Sequence, residues 1–155
     1  MNDEIRVPVT LPLDSDGFLR RECPSCEQEF KWFSHQDGDT EAEPVSQYFC
    51  PLCGVPAGTD QWWTPAQLNY MQGVSAPAMD QFVQDSIEQA FRGMKGMSVK
   101  PDRSFSLGIE TPEALAEPDD MMIAEPPCHP NEPVKIPEQR AAKVHCLVCG
   151  SVFAV

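Results

Sequence analysis

The sequence has no long apolar run. Nothing in it approaches the ~18 residues that a membrane-crossing helix requires, so no membrane association is expected. The opening MNDEIRVPVT lacks a basic stretch followed by an apolar segment, which argues against a secretory leader. Positive charge is also scarce: 11 Lys and Arg face 24 Asp and Glu, a net charge of −13. A surface this acidic repels phosphate backbones on average, which disfavours nucleic acid as a partner. Solubility is the plain consequence of the charge, and a preference for a basic partner is the sharper one. No phosphate-binding loop or nucleophile motif is present, so no catalytic residue is assigned. Apolar residues make up only 41% of the 155, and 16 prolines interrupt them. Such a chain buries a thin core and needs a staple, of which a metal ion is one kind.

Cysteine supplies the staple. Seven are present, six of them in three CxxC pairs: CPSC at Cys23–Cys26, CPLCG at Cys50–Gly54 and HCLVCG at His145–Gly150. Paired CxxC motifs without a leader point to metal ligands in a reducing cytoplasm rather than to disulfides. A CxxC turn aims both sulfurs at one ion, and zinc takes four tetrahedral thiolate or imidazole ligands. Cys23, Cys26, Cys50 and Cys53 therefore form one complete set. A glycine after the second cysteine allows the positive φ that such a turn often needs. Gly54 and Gly150 meet that need, whereas Glu27 holds the equivalent place in the first turn. The third pair, Cys146 and Cys149, is matched with Cys128 and His129 from PPCHPNEP, where flanking prolines oppose a straight strand that would point the two apart. His145 competes for the fourth place, although it directly precedes Cys146 and should face away. Two zinc ions per chain are expected. A second site without His129 would keep an open position, the one route to a catalytic metal. Redox CxxC pairs open a helix that lowers the thiol pKa, whereas these are followed by extended sequence.

The CPSC and CPLCG turns between short strands resemble the zinc ribbon and the related rubredoxin knuckle. The resemblance covers about Phe18–Gly54. It implies two hairpin knuckles clamping one structural metal, and it says far more about fold than about function. Three functions stay open: a non-enzymatic protein–protein interaction or accessory module, a nucleic-acid-binding ribbon, and a rubredoxin-like iron electron carrier. The first is preferred.

Alternation predicts strands at Ile5–Leu11, Phe18–Arg21 and Glu29–Phe33, with DSDG as a turn. SHQDGDTEAEPVSQ follows as an acidic loop. Thr64, Pro65 and Gln67 form a helix start with a capping residue, a first-turn proline and a capping-box glutamine. Pro77 is expected to interrupt this helix. A second helix, about Ala76–Arg92, carries Met79, Phe82, Val83, Ile87 and Phe91 on one face and ends at Gly93 and Gly96. Ser98–Pro127, with seven acids and two bases, reads as a linker with possible strands in SFSLGI and MMIA. SVFAV closes the chain as a strand. The expected fold is a small metal-stabilised α+β protein: an N-terminal ribbon over 1–60, a helical segment over 61–97, a linker over 98–127 and a C-terminal metal module over 128–155.

Among single residues, His35 is read as solvated. One of Trp62 and Trp63 is read as core, and the other as an exposed partner anchor. Arg20, Arg21, Lys31, Arg92, Lys95, Lys100 and Arg103 are either scattered surface charge or a basic patch.

Overall fold

The strands β1 (Phe18–Glu22) and β2 (Glu29–Phe33) form an antiparallel hairpin around the first CxxC turn, pairing Phe18 with Phe33 and Glu22 with Glu29. The computed structural model describes residues 7–35, 42, 44–94, 96 and 112–155. These residues contain one α-helix and eight short strands, an α+β composition. The chain divides into two units, one of Met1–Thr10 with Ala66–Ala114 and one of Leu11–Pro65 with Leu115–Val155.

In the second unit a four-stranded antiparallel sheet runs in the order β1-β2-β6-β5, where β5 is Met122–Ala124 and β6 is Val134–Ile136. Two separate hairpins accompany it. One pairs β3 (Gln47–Phe49) with β4 (Pro56–Gly58), and the other pairs β7 (Lys143–His145) with β8 (Val152–Ala154). Period-two alternation sends Leu19, Trp32, Val134 and Ala124 to one face of the sheet. There they join Phe30, Ile136, Trp62, Leu52, Val144 and Leu147 in the core. Trp62 stands edge-on to Phe30 and Trp32, with ring centroids 5.7 and 6.3 Å away.

The opposite face is covered as well, by charge. Arg20, Lys31, Lys135 and Ile123 stand in register across the four strands. Like charges set opposite each other repel, and Lys31 and Lys135 are 0% and 2% exposed. Acids from the flanking segments neutralise the row. Asp14 Oδ2 lies 3.2 Å from Lys31 Nζ and 2.8 Å from Lys135 Nζ. Asp16 pairs with Lys135, and Glu117 and Asp120 pair with both Lys31 and Arg20. Residues 115–120 are therefore a strap laid over the sheet, and Met122–Ala124 within MMIA is its edge strand. SFSLGI lies outside the described residues.

Several expectations differ from the structure. Residues 7–14 form no strand, since Pro8 and Pro12 remove two of the backbone donors a ladder would use; residues 5 and 6 lie outside the described residues. The helix α1, Pro65–Phe91, which belongs to the first unit from Ala66 on, is continuous through Pro77. One proline costs about 3 kcal/mol in a helix interior, and the long flanking stretches, rich in Ala, Gln and Met, hold helix on either side of it. Several apolar positions of this helix stay open: Leu68, Met79, Phe82 and Ile87 are all exposed, while Val83 and Phe91 are half-buried. No helix among the described residues is long and apolar enough to cross a membrane.

Burial would raise the Asp14 carboxyl, but Lys135, the Phe18 N–H and Lys31 outweigh it and hold the group at about 2, below its ordinary 3.8. A depressed carboxyl stabilises the fold fully above the unfolded value and loses that contribution as pH falls from about 4 toward 2. Asp14→Ala leaves two buried ammonium groups short of a partner. It should lower unfolding free energy by about 3–5 kcal/mol at neutral pH, read by urea titration, and the loss relative to wild type should shrink below pH 4.

Candidate metal centres

Each CxxC turn closes a hairpin in the same way. The first cysteine's N–H reaches a carbonyl five residues on, and the residue four places on returns its N–H to the cysteine carbonyl. The pairs are Cys23 N to Gln28 O and Glu27 N to Cys23 O, then Cys50 N to Val55 O and Gly54 N to Cys50 O. Cys146 N to Ser151 O and Gly150 N to Cys146 O complete the series. This closure forces a positive φ on the fourth place. Gly54 and Gly150 adopt 76° and 75°, and Glu27 adopts 58°. The first turn thus has the same geometry as the others, with glutamate in a region that a side chain enters only at a cost.

The turns aim N–H groups at sulfur. Ser25 and Cys26 donate to Cys23 Sγ at 3.3 and 3.4 Å, and Leu52 and Cys53 donate to Cys50 Sγ at 3.4 Å each. Cys23 and Cys53 sulfurs lie 3.7 Å apart, and those of Cys26 and Cys50 lie 3.8 Å apart. Zn–S bonds of about 2.3 Å set tetrahedrally put sulfurs about 3.8 Å apart, whereas a disulfide needs about 2.05 Å. The spacing fits a shared ion, and all seven cysteines are free.

The second set comes from the β5–β6 loop and the β7–β8 hairpin. His129 donates its N–H to the Pro126 carbonyl, and Glu132 donates to that of His129; these turns bring Cys128 and His129 to one side. Cys128 Sγ is 3.5 Å from Cys149 Sγ, and His129 Nδ1 is 3.4 Å from Cys146 Sγ. In each of the two sets, all four ligand atoms lie within 4.8 Å of one another. Both could hold a metal ion. His145 stands outside the cluster: its Nδ1 lies 3.2 Å from the Gly150 carbonyl.

Without a cation the thiols resist ionisation unequally. Burial pushes Cys50 far up and Cys146 up to about 12, while the Ser151 hydroxyl and N–H hold Cys149 down at about 6. Thiolate at Cys50 and at Cys146 at neutral pH therefore requires a positive ion within each of their two sets.

The two knuckle hairpins are related by an approximate two-fold. Phe49, just before Cys50, donates its N–H to Leu147, just after Cys146. His145, just before Cys146, donates to Pro51, just after Cys50. A Cβ on Gly54 would lie 2.7 Å from the His145 ring, and one on Gly150 would lie 2.8 Å from the Phe49 ring. The ring beside each site therefore packs on the glycine turn of the other.

The remaining sequence candidates fall elsewhere. His35 is not solvated: its Nε2 lies 3.0 Å from the Glu132 carboxylate, and its ring meets Phe33 edge-on. Trp62 is core, and Trp63 is half-buried and stacked on Arg21 rather than open. The described basic residues form no open patch, although Arg20 and Lys31 stand side by side. Arg20 and Lys31 are neutralised by the strap, Arg21 is buried, and Arg92 pairs with Glu88; Lys95, Lys100 and Arg103 lie outside the described residues. The buried Lys31–Lys135 pair escapes a sequence reading, because alternation shows which face a lysine takes but not what covers it. No family model matches the chain, and no curated protein or solved structure is significantly similar to it.

Glu27 also crowds Glu22, whose carboxyl is raised by burial and by Glu29 and Glu27. Glu27→Gly should relieve both strain and repulsion and stabilise the metal-loaded protein by roughly 1 kcal/mol, seen as a higher melting temperature. In native mass spectrometry the wild type should carry two metal ions. Cys50→Ser and His129→Ala should each lose one, and His145→Ala should keep both while melting lower. One ion in the wild type would eliminate the second site.

Proposed function

We propose that this chain is a non-enzymatic zinc protein whose two metals are structural and whose work is to bind another protein. The reading rests on one observation above all. Each donor set ties a loop of the four-stranded sheet to a separate hairpin, and each has its full four ligands. A closed set leaves no position for water or substrate, which favours a structural role over a hydrolytic one. Zinc suits a set of four thiolates and a set of three thiolates with one imidazole equally well. The three knuckle turns between antiparallel strands support the zinc-ribbon resemblance. Free thiols in such sites fit a reducing compartment, the cytoplasm being the simplest.

The exposed apolar positions of α1 (Leu68, Met79, Phe82 and Ile87) support protein docking. The nucleic-acid alternative is weakened by a net charge of −13 and by the pairing or burial of Arg20, Arg21 and Lys31. Phe82→Asp with Ile87→Asp should abolish capture of the partner from native cells, with both metals retained. Unchanged capture would refute docking through the helix. Protein purified natively should be colourless and zinc-loaded; a red, iron-loaded product would instead support the electron carrier.

A further inference from the structure

Arg21 differs from every other cation described in the second unit. Its guanidinium carbon lies 4.2 Å from the centroid of the Trp32 ring and 4.4 Å from that of Trp63. The residue is 8% exposed, and its Nε is buried without a hydrogen-bond partner. Its neighbour Arg20 has three carboxylates, from Glu29, Glu117 and Asp120; among the described residues Arg21 pairs with none. The two indoles compensate the charge through the faces of the guanidinium. They leave the buried Nε–H unanswered, and stacking cannot satisfy it.

Arg21 lines a cavity of about 230 Å³ together with Trp32, Tyr48, His35, Glu132 and Leu147. We propose that this cavity binds a small carboxylate ligand, held in the plane of the Arg21 guanidinium and bounded by the Trp32 and Tyr48 rings. A planar fork of N–H donors matches a planar two-oxygen anion. The volume lies below the ~300–1,000 Å³ usual for larger ligands, which excludes a nucleotide. Glu132 places one negative charge in the same lining, 3.0 Å from His35. A monoanion therefore enters at lower electrostatic cost than a phosphate dianion. The chain's net charge of −13 gives no general attraction for anions, so affinity here comes from Arg21 itself.

The test titrates the full chain, as purified with its metals, with acetate, propionate and inorganic phosphate at constant ionic strength. Tryptophan fluorescence and the Arg21 Nε–H resonance are followed together. Both signals should saturate with the carboxylates, and phosphate should bind more weakly. Arg21→Lys keeps the charge but loses the planar fork, and should weaken carboxylate binding about tenfold or more, the scale of one lost charge-assisted contact. Arg21→Met should abolish it, with metal content reporting that the fold persists. Should the Met variant not fold, the Lys variant and the resonance shift decide. No saturable response in the wild type, equal affinity in Arg21→Lys, or tighter binding of phosphate than of carboxylate would each overturn the assignment.

Discussion

Four donor atoms held within 4.8 Å of one another, at each of two places, connect parts of this protein that little else could connect. The hairpins β3–β4 and β7–β8 have strands of three residues, and a two-stranded hairpin of that size is marginal in water. Each is fastened to the sheet at a cysteine turn. Cys23, Cys50 and Cys146 are fully buried and belong to the same layer as Phe30, Trp62, Val144 and Leu147. Core and metal site are thus one structure. With no ion shared by the ligands, buried thiols would stand in close contact and the hairpins would be held by a handful of apolar side chains.

A sheet this small ordinarily buries one face and solvates the other. Here the second face carries Arg20, Lys31 and Lys135 side by side, and an acidic strap from residues 115–120 with Asp14 and Asp16 encloses them. Such a network does not make a sheet more stable than a second apolar layer would. It does fix register, because a slip of β6 against β2 by one residue would move Lys135 into the apolar core and Val134 onto the acids. The charges keep the two halves of the sheet aligned and, with them, the two donor sets.

The donor sets are legible because a CxxC turn encodes its own geometry: the spacing, the N–H groups and the following glycine all lie within five residues. Glu27 shows the limit of that local reading. Glycine is favoured at its position, yet the closing hydrogen bonds impose the same backbone on glutamate. The helix start at Thr64–Pro65 is equally local. Pro77 defeats such a reading, because the cost of one proline has to be weighed against the length of helix on both sides. The buried lysines and the strap are invisible for a different reason. Glu117 and Asp120 lie about a hundred residues from Arg20 along the chain, and nothing within a strand's own alternation names a partner that distant. Residues 115–124 look like linker because their acids lack cations nearby in sequence.

The same limit hides the symmetry. Read along the chain, the thiol pairs are three copies of one device and an odd cysteine. In space they are two equivalent assemblies, each joining a loop of the sheet to a knuckle hairpin. The first loop supplies CxxC and the second supplies adjacent Cys128 and His129, so the repeat does not survive as a sequence motif. What relates the assemblies is the reciprocal exchange between the hairpins: Phe49 to Leu147, His145 to Pro51, and each ring against the other's glycine. Those two glycines are constrained twice, by their positive φ and by the ring that occupies the place of a side chain. His145 therefore matters without being a ligand. It stands on the turn that carries Cys50 and Cys53, as Phe49 stands on the turn that carries Cys146 and Cys149, and a disturbance of either knuckle meets the packing of the other site.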